Sequence, residues 1–432
     1  MLKRFLLPVF YIAVFLVTIG IVKERGAATQ YRDVITWDVE GYYVYLPAIF
    51  IYGFEAVPTH TIMDDKGNKY LQPWPGTKKI YTKFTCGEAI FVAPFWLVAH
   101  GIASLVPQQF PPDGFSPIYV WSLVLAVAFY LVLGLYTASL ILRQYFSEFV
   151  TFLGLLTIWL GTAFIQHTSF AIGNSHVFSF LLISLFVLQT PKVLEKPGYT
   201  SVFLYGLIYG LICLIRLTNC IIILYFVLYQ IRSFADLRAR ITSLLSNIRY
   251  WCMLIPAFIV AFFPQSYYWH YVTGHWFIFS YIGETFMYWK DPYVVSVLWS
   301  PRGFFTFAPL MLLSIPGFVM GWKDSRFNIP ASVFILAIAI YTFGSWWCWW
   351  YGGCYGHRAF IDFFILFLIP LCLVYEKMAA SKLWIKIPSL TVICFFLFLS
   401  WRLNCLYSFP WEGPNWGWSN VWEKHKQALY IK

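Results

Sequence analysis

The stretch ITWDVEGYYVYLPAIFIYG, residues 35–53, sets two carboxylates, Asp38 and Glu40, among aromatic and aliphatic side chains. Carboxylates in such surroundings supply a general base or metal ligands. In a helix starting near Trp37, Asp38, Tyr42 and Tyr45 fall at i, i+4 and i+7 and share one face. The competing explanation is a helix N-terminus that favours acids through the helix dipole.

Three separate segments add cations. KIYTKFTCGEAIFVAPFW (79–96) carries Lys83 ahead of Glu88, and LIRLTNC (214–220) holds Arg216 between two apolar runs with almost no loop. SWWCWWYGGCYGHRAFIDFF (345–364) presents His357 and Arg358 after a glycine-rich aromatic loop. Arginine offers planar, multi-donor contacts to phosphate oxygens, and lysine supports them as a point charge. Each segment also has a plainer explanation: a snorkelling Lys83, an Arg216 paired with an internal carboxylate such as Glu284, and an interfacial belt of tryptophan and tyrosine. The belt leaves the His357–Arg358 pair unexplained. Gly352, Gly353 and Gly356 would let backbone approach a ligand. QHTSFAIGNSH (166–176) adds His167, Asn174 and His176, residue types that hydrogen-bond a hydroxylated ligand, although a metal would lack a third ligand there. WSPRGFFTFAPL (299–310) adds Arg302 as a further anion contact.

What must position these groups follows from composition. The 432 residues are 60% hydrophobic, 22% aromatic and 11% charged, against roughly 45–50% apolar and about 25% charged in soluble domains. The chain is therefore integral to a membrane, and each ionisable group near the bilayer core needs a reason. The net charge of +11 reads as basic loops flanking membrane segments or a groove for an anion. Nucleic acid is excluded as a partner, since no long basic tract or binding motif occurs. Nine scattered cysteines show no CxxC pair, and only Cys348 and Cys354 share a loop in which they could pair.

The fold class expected is an all-α polytopic membrane protein, residues 1–432 forming one domain. The basic start and apolar run of MLKRFLLPVFYIAVFLVTIGIVKERGAATQ read as an uncleaved first helix, with GAAT only faintly like a cleavage site. Further apolar runs near 116–142, 149–167, 174–190, 199–215, 218–231, 251–271, 306–322, 328–345, 359–375 and 387–404 bring the spans to about eleven. Segments near 37–53 and 87–106 are expected to lie along the interface. With Lys3, Arg4, Arg143, Lys192, Lys196, Arg232, Arg238, Arg240, Arg249, Lys323, Arg326, Lys377, Lys382 and Lys386 inside, the N-terminus is cytoplasmic. The loops 23–115 and 272–305 and the tail 405–432 then lie outside. RSFADLRARITSLLSNIRY (232–250) is an amphipathic basic helix suited to anionic lipid. Every candidate group falls at the outer boundary, and no stretch reads as a soluble domain.

The order of these features resembles the GT-C glycosyltransferases that use polyprenyl-phosphate-linked sugars, bacterial protein-mannosyltransferase and aminoarabinose-transferase members among them. WDVEGYYVYLPAIF is similar to the family's first-loop motif of an acid or acid pair before a tyrosine-bearing helix. TKFTCGEAIFVAPFWLVAH looks like its lysine-led second interfacial helix, with Phe84-Thr85 where prolines are usual. SWWCWWYGGCYGHRAFIDFFILFLIPL and SYYWHYVTGHWF…LWSPRGFFTFAPLMLLSIPGF resemble the WWGG…G-x-R segment and long outer loop of bacterial members.

The resemblance implies Asp38 as the base that deprotonates an acceptor hydroxyl, with Glu40 as helper or alternative base. Val39 separates the two acids, which are adjacent in many members, so which acid acts stays open. Lys83, Arg216 and Arg358 match positions that hold the donor phosphate. Members invert at the anomeric carbon by direct displacement, and some need a divalent metal while others do not. The expected partners are a polyprenyl-phosphate-sugar donor, membrane lipid, and a lipid-linked or membrane-presented acceptor, at the outer face of a bacterial plasma membrane. Rival readings are a transporter or flippase of such lipids, another lipid-processing transferase, and a non-catalytic lipid-binding relative. Neither an internal repeat nor a P-loop appears.

Overall fold

The computed structural model describes residues 5–26, 34–55, 57, 71–408, 410–411 and 416–430. Lys3, Arg4 and residues 27–29 of the GAAT stretch lie outside the described residues. The principal helices are α1 (Leu6–Glu24), α2 (Asp38–Tyr43), α3 (Gly87–Leu105), α4 (Pro117–Leu142), α5 (Glu148–Leu160), α6 (His176–Glu195), α7 (Tyr199–Ile215) and α8 (Ile223–Val227). They continue with α9 (Phe234–Ser246), α10 (Leu254–Thr273), α11 (Ser314–Gly321), α12 (Ile329–Ser345), α13 (Phe364–Ala379), α14 (Leu383–Leu406) and α15 (Trp418–Leu429). A small antiparallel hairpin, β1 (Leu71–Pro73) and β2 (Ile80–Thr82), pairs Leu71 with Thr82 and Pro73 with Ile80.

Among the described residues, eight helices are long and apolar enough to cross a membrane. The eleven expected spans all coincide with apolar helical runs, but four of these, Glu148–Leu160, Tyr199–Ile215, Leu217–Val227 and Pro309–Gly321, are shorter. At 1.5 Å per residue, 13 residues reach only about 20 Å of a core roughly 30 Å thick. The runs around residues 160 and 216 stop short where the chain leaves helical geometry: a π-turn at Gln166–Phe170 and an extended Arg216 (φ −149°, ψ 112°).

The segment 87–106, expected to lie along the interface, is a helix from Gly87 to Leu105. It forms α3, one of the eight long apolar helices, and runs antiparallel to α4, with Phe91 on Tyr130 and Trp96 on Tyr119 at ring separations of 5.3 and 5.1 Å. Two of its polar residues, Glu88 and His100, meet neighbours within the protein. Glu88 is buried in its first turn, and the Tyr119 hydroxyl lies 2.6 Å from His100 Nδ1.

Alternate connections meet at the same end of the bundle. At one end the Leu7 N–H donates to Glu148 Oε1 (3.2 Å), the Tyr145 hydroxyl to the Arg326 carbonyl (3.2 Å) and the Gln230 N–H to Asn328 Oδ1 (2.8 Å). The described residues of the basic set assigned to the inside, from Arg143 to Lys386, belong to the connections at this end. Helix α9 lies there too, capped by Ser233 and Asp236 and with no buried residue, so Phe234, Ile241 and Leu245 stay exposed. At the other end Lys79 Nζ donates to the Tyr271 carbonyl (2.8 Å), the Trp347 N–H to the Thr285 carbonyl (3.1 Å) and the Trp416 indole to the Pro301 carbonyl (2.9 Å). Helix α15 folds back onto α14, where Arg402 Nε donates to the Ala428 carbonyl (3.2 Å).

Helices α7 and α10 run parallel at close range because small residues face each other. A Cβ added to Gly206 would sit 2.9 Å from that of Ala257, and one added to Gly210 2.6 Å from that of Ala261. Small residues four apart let backbones approach where lipid provides no hydrophobic drive. Gly210→Ala should therefore lower the unfolding temperature of the detergent-solubilised protein, at a cost of about 1–3 kcal/mol from overpacking. Ala261→Gly in the same chain should restore most of it. An unchanged melting curve for Gly210→Ala would show that this contact is not close.

Candidate functional site

The site is assembled where helices break. Asp38 opens α2 directly after Trp37, whose φ of 54° is unusual for a residue with a side chain. Strain of this kind persists only where its surroundings impose it. The hairpin fixes the next group. At its end the Thr82 hydroxyl donates to the Gly41 carbonyl (3.1 Å) while its N–H donates to the Tyr268 hydroxyl (2.9 Å), and Lys83 follows. The Thr85 hydroxyl donates to the Leu214 carbonyl at the end of α7, beside the extended Arg216. Arg358 begins the 3₁₀ turn Arg358–Phe363 that leads into α13.

Each of these cations meets a carboxylate. Arg358 Nη2 lies 2.8 Å from Asp38 Oδ2, and Arg358 Nη1 donates to Asn174 Oδ1 at 3.4 Å. Lys83 pairs with Glu284, which also accepts from the Trp347 indole at 3.1 Å. Arg216 Nε lies 3.2 Å from Asp362 Oδ2. Asp362 is 1% exposed, and it also engages His176 Nδ1 (2.7 Å) and the Asn219 amide (2.9 Å). Arg216 does meet an internal carboxylate, the plainer of its two explanations, but it is Asp362, and Glu284 pairs with Lys83 instead. Asp362 was overlooked although its signal was present, since an acid inside the apolar run AFIDFFILFLIPL requires an internal partner.

Seven candidates line one cavity of about 1380 Å³: Asp38, Tyr42, Lys83, His167, Asn174, Arg216 and Arg358. Its far wall is apolar and includes Ile259 and Phe263 of α10, which are 59% and 56% exposed, so the hollow opens sideways onto the bundle's apolar surface.

Six candidates do not line it. Glu40 and Glu88 are buried in their helices. Tyr45 shares its face with Tyr42, but Phe84 lies between it and the hollow and its carbonyl accepts the Tyr45 hydroxyl at 2.7 Å. His176 sits behind the wall on Asp362. His357 is buried, Nε2 donating to the Trp349 carbonyl at 2.8 Å, so it steadies the loop rather than facing a ligand. Arg302 lies over the Trp350 ring at 5.5 Å. Of the glycines, Gly352 and Gly353 do line the cavity, and Gly352 and Gly356 have φ of 81° and 64°. No disulfide joins Cys348 to Cys354, whose thiol instead faces the Tyr351 and Gly356 carbonyls.

Electrostatics follow the pairing. Burial acts to raise the Asp38 pKa, but Arg358 and Lys83 outweigh it and hold the carboxyl below its usual range. Burial pushes the His357 imidazole down to about 4, and burial first, then His176, Arg358 and Arg216, lowers the pKa of His167. Among the described residues no group of three or more His, Cys, Asp or Glu side chains is placed to hold a metal ion. The cavity carboxylates Asp38 and Glu284 each already neutralise a cation, so this donor set does not fit a divalent ion.

No protein-family model, curated protein or solved structure matches this chain.

Removing one partner of a buried ion pair strands the other charge and costs about 3–5 kcal/mol. Asp362→Leu should accordingly destabilise the folded protein strongly in thermal or denaturant unfolding. The double variant Asp362→Leu/Arg216→Met should recover much of the loss. Additive losses in that cycle would mean that Arg216 and Asp362 are not coupled.

Proposed function

We propose that this protein is a membrane glycosyltransferase of the GT-C kind. It would take a sugar from a polyprenyl-phosphate carrier and transfer it to a hydroxyl of a membrane-presented acceptor on the extracytoplasmic face. The observation that carries the reading is one hollow with two chemically different parts. Asp38, Lys83, Arg216 and Arg358 gather at one part, and the other opens along α10 onto apolar surface. That division matches a ligand with a phosphate and a long hydrocarbon tail. The orientation is supported by the basic residues of the short connections at the opposite end of the bundle, since half of those at the site end lie in the long first loop 23–115.

In the reaction, Asp38 takes the proton of the acceptor hydroxyl as its oxygen attacks the anomeric carbon. The bond from that carbon to the phosphate oxygen breaks, and its electron pair leaves with the polyprenyl phosphate. Arg216, Arg358 and Lys83 stabilise the charge that develops there. Arg216 is held by the fully buried Asp362, whereas Arg358 and Lys83 pair with carboxylates whose side chains are 20–23% exposed. The donor phosphate competes with Asp38 for Arg358, so binding the donor frees the base. No step is routed through a metal.

Two measurements test this. With radiolabelled polyprenyl-linked sugars, Asp38→Asn should lose transfer by about 10²–10⁴-fold, the usual contribution of a general base. It should bind sugar-free polyprenyl phosphate at least as tightly as the wild type, because Arg358 has lost its internal rival. Transfer at the wild-type rate would remove Asp38 from the mechanism. The pH profile carries a sign. Asp38 works ionised, so activity falls as pH drops through its pKa, which is depressed while Arg358 is its partner. Once phosphate occupies Arg358 the pKa rises, so the acidic limb of kcat should lie at higher pH than that of kcat/KM. Coincident limbs would contradict the exchange.

A further inference from the structure

The connection between α5 and α6 contains polar groups that the ion pairs leave unused. Gln166 and His167, in the π-turn Gln166–Phe170, both line the cavity and are each 3% exposed. Gln166 Oε1 and both ring nitrogens of His167 are buried with no hydrogen-bond partner on the protein. His176 Nε2 is in the same condition, and its ring lies 5.5 Å from that of His167. Buried polar atoms are nearly always satisfied, so the three orphaned atoms of Gln166 and His167 on the cavity wall call for a partner from outside the chain.

The kind of partner follows from what is offered. A neutral imidazole gives one donor and one acceptor, and an amide carbonyl gives an acceptor. That mixture suits uncharged hydroxyls, whereas an anion would meet acceptors it cannot use. The groups facing His167 are His176 from the start of α6, Arg358 from the turn before α13 and Arg216 from the break after α7. A hydroxylated group held here would lie beside a phosphate gripped by the two arginines.

We infer that Gln166 and His167 form a subsite for the polyhydroxylated sugar of the ligand, next to the phosphate site. The inference rests on the polyprenyl-phosphate reading above and assigns the sugar its place within that cavity. It separates these two residues from Asn174, which is engaged by Arg358, and from the arginines, which hold charge.

The test uses the full-length protein in detergent and compares two kinds of probe. One is decaprenyl phosphate; the other is a set of decaprenyl-phosphate lipids bearing a hexose, a pentose or an aminopentose. The wild type should prefer at least one sugar-bearing lipid over the bare phosphate by roughly tenfold, about one hydrogen bond's worth. His167→Phe and Gln166→Leu should each erase most of that preference while binding bare decaprenyl phosphate as before, which also shows that they fold. His167→Gln, which keeps a donor and an acceptor, should restore part of the preference. A preference that survives both substitutions, or equal losses for both probes, would overturn the subsite and leave the donor reading standing. So would a wild type that binds both kinds of lipid without discrimination. A wild type that binds neither would overturn both.

Discussion

A cation withdrawn from bulk water has to find an anion, and this requirement organises the whole site end of the molecule. Arg216, Arg358 and Lys83 arrive from three distant parts of the chain, and each ends on a carboxylate. The pairs differ in kind. Asp362 is fully buried and accepts from a histidine, an asparagine and the arginine together, so its geometry is locked from several sides. Asp38 and Glu284 keep a fifth of their side-chain surface accessible, and their partners can be contested by an anion entering the hollow. A low dielectric strengthens both kinds of pair, but only the exposed kind can be exchanged without leaving a charge stranded.

Helix breaks are what allow charges to reach this depth. A continuous helix satisfies its own backbone and presents side chains only along its flank, whereas a broken one exposes polar termini that must be covered. The end of α7 is covered by the Thr85 hydroxyl on the Leu214 carbonyl, and the chain then runs extended through Arg216 into a 3₁₀ turn. The hairpin is tied from both sides, by Gly41 of α2 and Tyr268 of α10. A Cβ on Gly41 would lie 2.2 Å from the Phe84 ring, so α2 and the hairpin are seated with no room to slide. The distance between Asp38 and Lys83 is thus fixed by packing that involves neither residue.

Membrane character, helical class and the convergence of Asp38 with the three cations were legible because each depends on a local rule. Long apolar runs must be buried, and charges among them must be used. The packing of α3 was not legible, since nothing in the run around Glu88 and His100 shows that the first is buried or that the second meets Tyr119. His357 misled for a related reason. A histidine beside an arginine reads as a ligand pair, yet the peptide turns between them, sending one ring to the Trp349 carbonyl and the guanidinium to Asp38. Asp362 did carry a signal, because an acid inside the apolar run AFIDFFILFLIPL needs an internal partner. Gln166 carries no spacing signal at all; only burial without a partner distinguishes it.

In the proposed reaction, the contact between Asp38 and Arg358 would join recognition to chemistry in a single degree of freedom. An arginine that held the phosphate with no internal rival would bind well and leave the neighbouring base unregulated. A base without an arginine would be ready at all times, and any hydroxyl or water reaching the hollow could meet it. Pairing the two makes them answer to each other, because linkage is reciprocal: whatever weakens the carboxylate's hold on the guanidinium strengthens the guanidinium's hold on an anion by the same factor. Asn174, which touches the same guanidinium, fixes the plane in which that exchange takes place. In that proposal Asp362 would perform the complementary task, holding Arg216 in place while Arg358 changed partners. A hollow with one fixed and one exchangeable arginine would then hold a phosphate throughout the reaction and still sense its arrival.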